Sequence, residues 1–236
     1  MKLVILAGGL GTRISEETEF IPKPMIKIGQ KPIIWHIMKY YSRYNITDFI
    51  ICGGYKIEKI RHFFSRKVNK INWNVQVVDT GKNSNTGERL RRVKNYLKGE
   101  GNFFLTYGDG LSNINLKSLN KLHIKKKSLM TISTVKPPPR FGKLKISQDI
   151  IQNFYEKKTS IEGWISGGFF VCNFKVFNFF QKKNSILEKD IIPKIVKKKQ
   201  AFGYKHNGFW HPMDTMQEKR YLNKLWKTGI APWKIW

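Results

Sequence analysis

A short apolar run near the start of the chain ends abruptly in two glycines, and it restricts the possible folds more than any other feature. Residues 3–7 are continuously apolar, and Gly8 and Gly9 follow at once. A strand with one face in water alternates polar and apolar residues, whereas a strand buried on both faces does not. The run therefore predicts a strand inside a parallel sheet that is covered by helices on both sides.

Strand-like and helix-like segments alternate along most of the remaining chain. The predicted strands are residues 48–52, 75–78, 103–107, 129–135, 167–171 and 202–210. The predicted helices are residues 32–41, 57–64, 86–97, 116–124, 176–181, 187–198 and 215–226, with Thr86 as a possible cap. Such alternation favours right-handed crossovers. The predicted fold class is therefore α/β, a Rossmann-like and mostly parallel sheet flanked by helices.

The alternation stops after residue 136, where three consecutive prolines are followed by Arg140-Phe141-Gly142. Short alternating segments in this region favour β-hairpins over another crossover. A chain of 236 residues can still form one core. We therefore expect a single domain over residues 1–236, with a small β-rich insertion at about residues 137–170.

Lysine makes the chain strongly basic, with a formal net charge of +28. Such a charge is compatible with nucleic acid, an anionic membrane surface or acidic small substrates. The lysines accompany abundant Asn, Ile and Phe throughout, as a global compositional bias would produce, and the basic runs lack interleaved aromatic residues for base stacking. We interpret the charge as a solvated basic surface and expect no nucleic-acid or membrane partner.

The first apolar run is also too short for a signal-peptide core or a membrane span, which predicts a soluble, cytoplasmic protein. Cys52 and Cys172 lie in separate apolar stretches without metal-ligand spacing, and this predicts reduced cysteines in the core. The histidines show no ligand spacing either, so none is assigned a catalytic role.

The sharpest functional motif is Gly8-Gly9-Leu10-Gly11-Thr12-Arg13, directly after the first predicted strand. Glycines let backbone N–H groups approach phosphate oxygens, and Arg13 and the proline-flanked Lys23 can neutralise phosphate charge. The motif lacks the ending of a P-loop, and Ile14 replaces the last small residue of a dinucleotide fingerprint. It predicts a triphosphate cradle, with residues 15–24 as a loop.

Two aspartates follow predicted strands and can supply carboxylates to a metal ion. Asp109 lies at the carboxyl end of a strand, the edge where parallel sheets bind ligands. Asp214 lies between a strand and a helix, and by itself it fits an ordinary helix N-cap better than a metal ligand. As a pair, they match what Mg²⁺ bridging phosphates needs. Residues 79–89 form either a loop that contacts a base and phosphate or a plain polar loop.

These motifs resemble the sugar-1-phosphate nucleotidylyltransferases, whose signature is a glycine-rich loop ending in Gly-Thr-Arg and followed by Pro-Lys-Pro. The similarity spans essentially the whole chain, and residues 208–215 and 231–234 resemble the branch that uses CTP and glucose 1-phosphate. The resemblance implies a nucleotidyltransferase fold, an enzyme that forms CDP-glucose and pyrophosphate, a Mg²⁺ cofactor and a homo-oligomer. It also implies a place in O-antigen or lipopolysaccharide synthesis.

The resemblance assigns roles to individual residues as well. It implies catalytic roles for Arg13 and Lys23, and Mg²⁺ binding by Asp109 and Asp214. The implied sugar-phosphate contacts are Glu156, Lys157 and Gly168. The implied nucleotide contacts are Leu6, Ala7, Gly8, Gly9, Leu10, Gly11, Thr12, Arg13, Lys23, Ser84, Arg89 and Gly108.

Two alternatives stay open on the sequence. Because a phosphate cradle does not read the base, the same fold and reaction are compatible with dTTP or UTP, or with another sugar phosphate. A different class of function is a basic nucleic-acid-binding module that has kept the fold and lost catalysis. The presence of Arg13, Lys23, Asp109 and Asp214 argues against that second alternative.

Overall fold

The computed structural model describes residues 1–65, 72–137, 143–147, 150–155 and 163–236. In chain order the strands are β1 (Leu3–Leu6), β2 (Lys27–Ile28), β3 (Lys31–Pro32), β4 (Asp48–Gly53), β5 (Asn74–Asp79), β6 (Asn102–Tyr107), β7 (Gly110–Ser112), β8 (Met130–Val135), β9 (Lys143–Ser147), β10 (Ile150–Tyr155), β11 (Ile165–Asn173), β12 (Ala201–His206) and β13 (Trp210–Pro212). The α-helices are α1 (Ser15–Thr18), α2 (Ile33–Ser42), α3 (Ile57–Ser65), α4 (Thr86–Arg92), α5 (Leu116–Lys125), α6 (Ile192–Lys197) and α7 (Met216–Lys227). Short 3₁₀ helices cover Thr12–Ile14, Lys23–Met25, Lys94–Leu97 and Phe174–Phe179, and a π-helical turn covers Leu187–Ile191.

Seven strands form the central sheet, in the order β12-β8-β11-β6-β1-β4-β5. β1 is parallel to both β6 and β4, and β4 is parallel to β5. β12 is parallel to β8, while β11 runs antiparallel to both of its neighbours, β6 and β8. The predicted α/β class with a mostly parallel sheet is confirmed.

The apolar run at the start of the chain forms the middle of this sheet. All four residues of β1 are buried. Because side chains alternate between the faces of a strand, Leu3 and Ile5 join one hydrophobic cluster while Val4 and Leu6 join the other. Burial of both faces is the reason why every position of this strand is apolar.

Helices supply the apolar side chains that cover both faces of the sheet. Ile33 of α2 and Leu222 of α7 belong to the cluster that contains Leu3. Leu90 of α4 and Ile195 of α6 belong to the opposite cluster. Within the described ranges, no helix combines the length and the apolar character needed to cross a membrane.

The two cysteines lie in the core, as their apolar surroundings predict. Cys52 and Cys172 are free and fully buried in the same cluster. Burial penalises the charged thiolate and raises the pKa of Cys52 to about 12. Both side chains therefore act as small apolar groups in this core.

A β-hairpin occupies part of the region where the alternation stops. β9 and β10 pair in antiparallel fashion, which agrees with the hairpins predicted there. Residues 138–142, 148–149 and 156–162 of this region lie outside the described residues. The extent of a β-rich insertion and the single-domain organisation stay predictions.

The segment 15–24 is not a continuous loop, and that prediction was wrong. It contains α1 and the 3₁₀ turn Lys23–Met25. The hydroxyl of Thr18 donates to the carbonyl oxygens of Ile14 and Gly11, each at 3.2 Å, and these bonds hold the turns together. Helices this short show no apolar periodicity, so the sequence pattern could not reveal them.

Other predicted elements differ from the structure in continuity or in helix type. The strand predicted over residues 202–210 is divided, because β12 ends at His206 and β13 begins at Trp210. The helix predicted over residues 86–97 is interrupted after Arg92. The helix predicted over residues 176–181 is the 3₁₀ helix Phe174–Phe179, which begins at a side-chain cap from Asn173.

His36 lies in the core among tryptophan rings. The residue is fully buried, and its Nε2 lies 2.9 Å from the carbonyl oxygen of Ile28. The rings of Trp35 and Trp226 meet it edge to face, with centroid distances of 5.3 Å and 4.6 Å. Burial disfavours the charged imidazolium and lowers the pKa of His36 to about 4.

We expect His36 to make stability depend on pH. The unfolded chain protonates this group near pH 6.5 and the folded chain only near pH 4, so stability is complete above pH 6.5 and is lost as the pH falls towards 4. The full loss is about 3 kcal/mol. Urea unfolding of wild type and His36→Gln at about pH 7.5, 6 and 5 measures it, because Gln does not titrate. The unfolding free energy of wild type minus that of His36→Gln should become smaller as the pH falls. If it stayed constant, the lowered pKa of His36 would be contradicted.

Candidate active site

The carboxyl ends of four parallel strands meet at one edge of the sheet. Leu6 of β1 lies beside Cys52 of β4 on one side and Tyr107 of β6 on the other. Because β11 is antiparallel, its amino-terminal end reaches the same edge, with Phe169 opposite Thr106. Ligands bind at this edge in open α/β sheets. The predicted glycine loop, the Tyr107-Gly108-Asp109 segment and Gly168 therefore come together.

A cavity of about 390 Å³ opens at this edge. Its lining residues are Leu6, Ala7, Gly8, Gly9, Gly11, Thr12, Arg13, Lys23, Pro24, Ser84, Asn85, Thr86, Arg89, Tyr107, Gly108 and Asp109. All predicted nucleotide contacts except Leu10 belong to this lining. The side chain of Leu10 is 46% exposed. The geometry brings these residues together, and their contact with a nucleotide stays a prediction.

The glycine loop turns sharply at Gly11. The φ angle there is 70°, in the left-handed region that residues with a side chain avoid. A Cβ at this position would also lie 2.7 Å from the methyl group of Thr18 and 3.1 Å from the Cβ of Lys23. Glycine therefore allows the turn Thr12–Ile14 to pack closely against α1 and Lys23.

Lys23 joins the two predicted metal-binding aspartates. Its Nζ lies 2.6 Å from Asp109 Oδ2 and 2.5 Å from Asp214 Oδ1. The Nη1 of Arg13 lies 2.5 Å from the other oxygen of Asp214. Burial favours a neutral Lys23, but the two aspartates outweigh it and raise the pKa of Lys23 above its ordinary value. The cluster therefore contains two carboxylates and two cations at the cavity wall.

A short strand pair brings Asp214 to Asp109. β13 pairs antiparallel with β7, and the backbone N–H of Met213 donates to the carbonyl oxygen of Asp109 at 2.8 Å. The helix that follows is capped by Thr215, which forms a capping box with Glu218. Asp214 is therefore not the N-cap, and its carboxylate instead contacts Lys23 and Arg13.

The donor set at this cluster fits a hard divalent cation. Asp109 and Asp214 both lie within 2.6 Å of one nitrogen atom, and their oxygens are ligands that Mg²⁺ prefers. Among the described residues, no group of three or more His, Cys, Asp or Glu side chains could hold a metal alone. Two carboxylates suit an ion whose remaining ligands are phosphate oxygens and water.

Arg89 connects the loops that form the cavity. Its Nη1 donates to the carbonyl oxygens of Gly53 and Gly81 and to Thr80 Oγ1, at 2.8–3.1 Å. Its Nη2 donates to the carbonyl oxygens of Gly8 and Lys82, at 2.8 Å and 3.1 Å. The residue is 4% exposed. Arg89 thus links the glycine loop to the loops that follow β4 and β5.

The helix that carries Arg89 begins differently from the prediction. Asn85 holds the N-cap position, and Thr86 is the first helical residue. The Thr86 hydroxyl accepts from the backbone N–H of Leu187 at 2.9 Å and donates to Glu188 Oε2 at 2.7 Å. Because those bonds occupy the hydroxyl, Thr86 is not a cap.

A smaller cavity of about 60 Å³ lies beside the first. Its lining residues are Thr106, Tyr107, Asp109, Gly110, Ser166, Gly167, Gly168, Phe169, Trp210 and Pro212. Gly168 is therefore close to Asp109, as a sugar-phosphate contact would need to be. Glu156 and Lys157 lie outside the described residues, so their predicted role stays a prediction.

Several residues at the site were not identified from the sequence. Tyr107 lines both cavities, and Trp210 donates its indole N–H to the carbonyl oxygen of Gly167 at 2.6 Å. Tyr107 was detectable, because it ends a predicted strand beside Asp109. Glu188, which accepts hydrogen bonds from Tyr107 and Thr86, gave no signal because its partners are distant in sequence.

Known proteins resemble this chain over most of its length. A family model described as nucleotidyl transferase matches residues 2–224. The chain is 42% identical to a glucose-1-phosphate cytidylyltransferase from Salmonella typhi, and 39% identical to a probable glucose-1-phosphate cytidylyltransferase from Bacillus subtilis. Both alignments cover 100% of this chain and 100% of the relative.

A solved structure shares the fold at lower sequence identity. HddC from Yersinia pseudotuberculosis has a TM-score of 0.75 at 24% identity, covering 95% of this chain and 99% of that chain. This likeness supports the fold alone, whereas the family match and the two relatives cover nearly the whole sequence. The chain therefore belongs to the nucleotidyl transferase family.

Proposed function

We propose that this protein transfers a cytidylyl group from CTP to α-D-glucose 1-phosphate, giving CDP-glucose and pyrophosphate. The observation that carries the proposal is the 42% identity, over the full length of both chains, to a glucose-1-phosphate cytidylyltransferase. The cavity supports it, because a glycine loop, Lys23 and Arg13 surround a space at the ligand-binding edge of the sheet.

The reaction requires no nucleophile from the protein. A phosphate oxygen of the sugar phosphate forms a bond to the α-phosphorus of CTP, and the bond from that phosphorus to the bridging oxygen of pyrophosphate breaks. Catalysis then consists of positioning and of stabilising charge. Two adjacent cavities share Tyr107 and Asp109, so substrates bound at them would lie close together.

Arg13 and Lys23 supply the positive charge that a triphosphate needs. Lys23 is buried and charged, held by Asp109 and Asp214 at the cavity wall. The Arg13 side chain is 68% exposed, so it can reach a nucleotide that enters from solvent. We propose that both side chains offset the charge of the triphosphate and of the leaving pyrophosphate.

We propose Asp109 and Asp214 as the residues that hold Mg²⁺. Bound there, the ion would neutralise negative charge on the phosphates as a Lewis acid. The two carboxylates would also orient Lys23, since both contact its Nζ. We further propose a homo-oligomer that acts in the cytoplasm, as in the family that the sequence resembles.

Release of pyrophosphate tests the proposal. Purified protein is given glucose 1-phosphate, Mg²⁺ and, in separate reactions, CTP, UTP, dTTP, ATP or GTP. We expect release with CTP and little with the others. If pyrophosphate were released with UTP or dTTP instead, the proposed reaction would stand and the proposed nucleotide would be wrong. No release with any nucleotide, together with salt-dependent DNA binding, would favour the non-catalytic alternative.

A further inference from the structure

Glu188 accepts hydrogen bonds from two residues of the active-site walls. The hydroxyl of Tyr107 donates to its Oε1, and the hydroxyl of Thr86 donates to its Oε2 at 2.7 Å. Both donors line the larger cavity. Glu188 itself is exposed and does not line that cavity; it lies on the π-helical turn Leu187–Ile191. Single π-helical turns occur frequently at functional sites.

The ring of Tyr107 is a wall shared by the two cavities. Tyr107 belongs to the lining of the larger cavity and also to that of the smaller cavity beside Gly168. A Cβ at Gly168 would lie 2.7 Å from the Cδ2 of this ring, so the ring and the glycine backbone are in close contact. Any movement of Tyr107 would therefore change the shape of both cavities.

The hydroxyl of Tyr107 donates a hydrogen bond to the carboxylate of Glu188. A protonated phenol beside a carboxylate forms a charge-assisted hydrogen bond, which is stronger than a bond between neutral groups. Glu188 therefore restrains this ring at its polar end, while Phe170 contacts it edge to face at 5.8 Å.

The turn that carries Glu188 is attached to the nucleotide side of the site. The backbone N–H of Leu187 donates to Thr86 Oγ1 at 2.9 Å, and the backbone N–H of Glu88 donates to the carbonyl oxygen of Ser185 at 3.0 Å. Gly87 permits this contact, because a Cβ there would lie 2.6 Å from Ser185 Oγ. The position of Glu188 is thus fixed relative to the loop that lines the larger cavity.

We propose that Glu188 is a positioning residue that holds Tyr107 and Thr86 in place and thereby aligns the two substrate cavities. The inference rests on the proposed function, in which a phosphate oxygen in one cavity attacks a phosphorus atom in the other. In-line attack is sensitive to small displacements of either substrate. Glu188 acts through its two partners and need not touch a substrate.

Steady-state kinetics of Glu188 variants test the proposal. We expect Glu188→Ala to lower kcat/KM by about 10- to 100-fold, the size expected for loss of a hydrogen bond to a charged group. KM should rise for both CTP and glucose 1-phosphate, because the shared wall moves. Glu188→Gln keeps a carbonyl acceptor and should recover part of the loss. Wild-type kinetics in Glu188→Ala would overturn the proposal.

A double variant separates positioning from two unrelated effects. Tyr107→Phe removes the donor and keeps the ring, so it should raise both KM values as Glu188→Ala does. If the two residues act as a unit, the double variant should be little worse than Glu188→Ala alone. If the losses in kcat/KM caused by the two single substitutions simply multiplied in the double variant, the proposal would be overturned.

Lys189→Ala is a matched control, because Lys189 is an exposed residue on the same turn. It should leave kinetics and melting temperature unchanged. Similar losses in Lys189→Ala and Glu188→Ala would show that the turn responds to any change, which would overturn the specific role of Glu188.

If wild type shows no turnover, the proposed function fails, and calorimetric affinity for CTP replaces the kinetics. If wild type and Glu188→Ala then bound CTP with equal affinity, the positioning role would be overturned as well. The same would hold if neither protein bound CTP.

Discussion

Replacing Asp109 with Asn is expected to lower kcat by about 10²- to 10³-fold while the protein stays folded. Asn has nearly the same shape, and the backbone carbonyl that pairs with Met213 is unchanged. The variant loses the charge that lies 2.6 Å from Lys23 and that would hold Mg²⁺. Turnover at saturating CTP and glucose 1-phosphate, together with thermal unfolding, measures both parts of the prediction.

Metal affinity gives a second measurement for the same variant. Calorimetric titration with Mn²⁺ in the presence of a non-hydrolysable CTP analogue should show weaker binding in Asp109→Asn than in wild type. Asp48→Asn is a suitable control, because Asp48 accepts a hydrogen bond from the exposed Asn74 side chain and lies at the opposite end of β4. If Asp109→Asn turned over like wild type with Mg²⁺, the metal assignment would be wrong.

The second large effect is expected for Arg89→Met, which should reduce stability by about 3 kcal/mol or more and abolish most turnover. Methionine fills a similar volume but donates nothing to the carbonyl oxygens of Gly8, Gly53, Gly81 and Lys82. The buried carbonyl oxygens of Gly8 and Gly53 keep one backbone donor each, from Tyr55 and Thr80, so the cost comes from losing several hydrogen bonds to a charged group at once. The midpoint of urea unfolding and the rate of pyrophosphate release measure the two effects.

Arg89→Lys distinguishes the charge of this side chain from its shape. Lysine keeps the positive charge, but it has three N–H donors on one nitrogen, whereas the planar guanidinium of arginine has five. It therefore cannot bind the carbonyl oxygens contacted by Nη1 and those contacted by Nη2 at the same time. We expect stability and activity between those of wild type and Arg89→Met. Arg61→Met removes an exposed positive charge and should change stability by less than about 0.5 kcal/mol. Wild-type stability in Arg89→Met would show that the three loops do not depend on this side chain.

The sequence predicted the elements whose burial leaves a clear pattern. β1 is apolar at every position because both of its faces are covered. α2 was recognisable by its apolar residues at helical spacing, and most of its residues are buried. α1 and the turn Lys23–Met25 were missed, since elements of three or four residues are held by single hydrogen bonds and local turns. Their sequence carries no periodicity that could be recognised.

The site was predictable where it follows directly from strand ends. The glycine loop follows β1 and Asp109 follows β6, so parallel pairing of these strands brings them together. Asp214 was ambiguous, because its position before a helix also fits an N-cap. The pairing of β7 with β13 and the capping box at Thr215 resolve that ambiguity. The hydrogen bonds of Glu188 depend on tertiary contacts that the local sequence does not encode.

The pairing of β7 with β13 has a consequence for how the enzyme is made. A nascent chain that has reached residue 200 already carries the glycine loop, Lys23 and Asp109, but it lacks the second carboxylate that contacts Lys23. Trp233, which is fully buried and donates its indole N–H to His36, is also still missing at that stage. The cluster around Lys23 is therefore completed only after Asp214 has been made, and a chain that stops before it lacks both the charge balance of the cluster and part of the core.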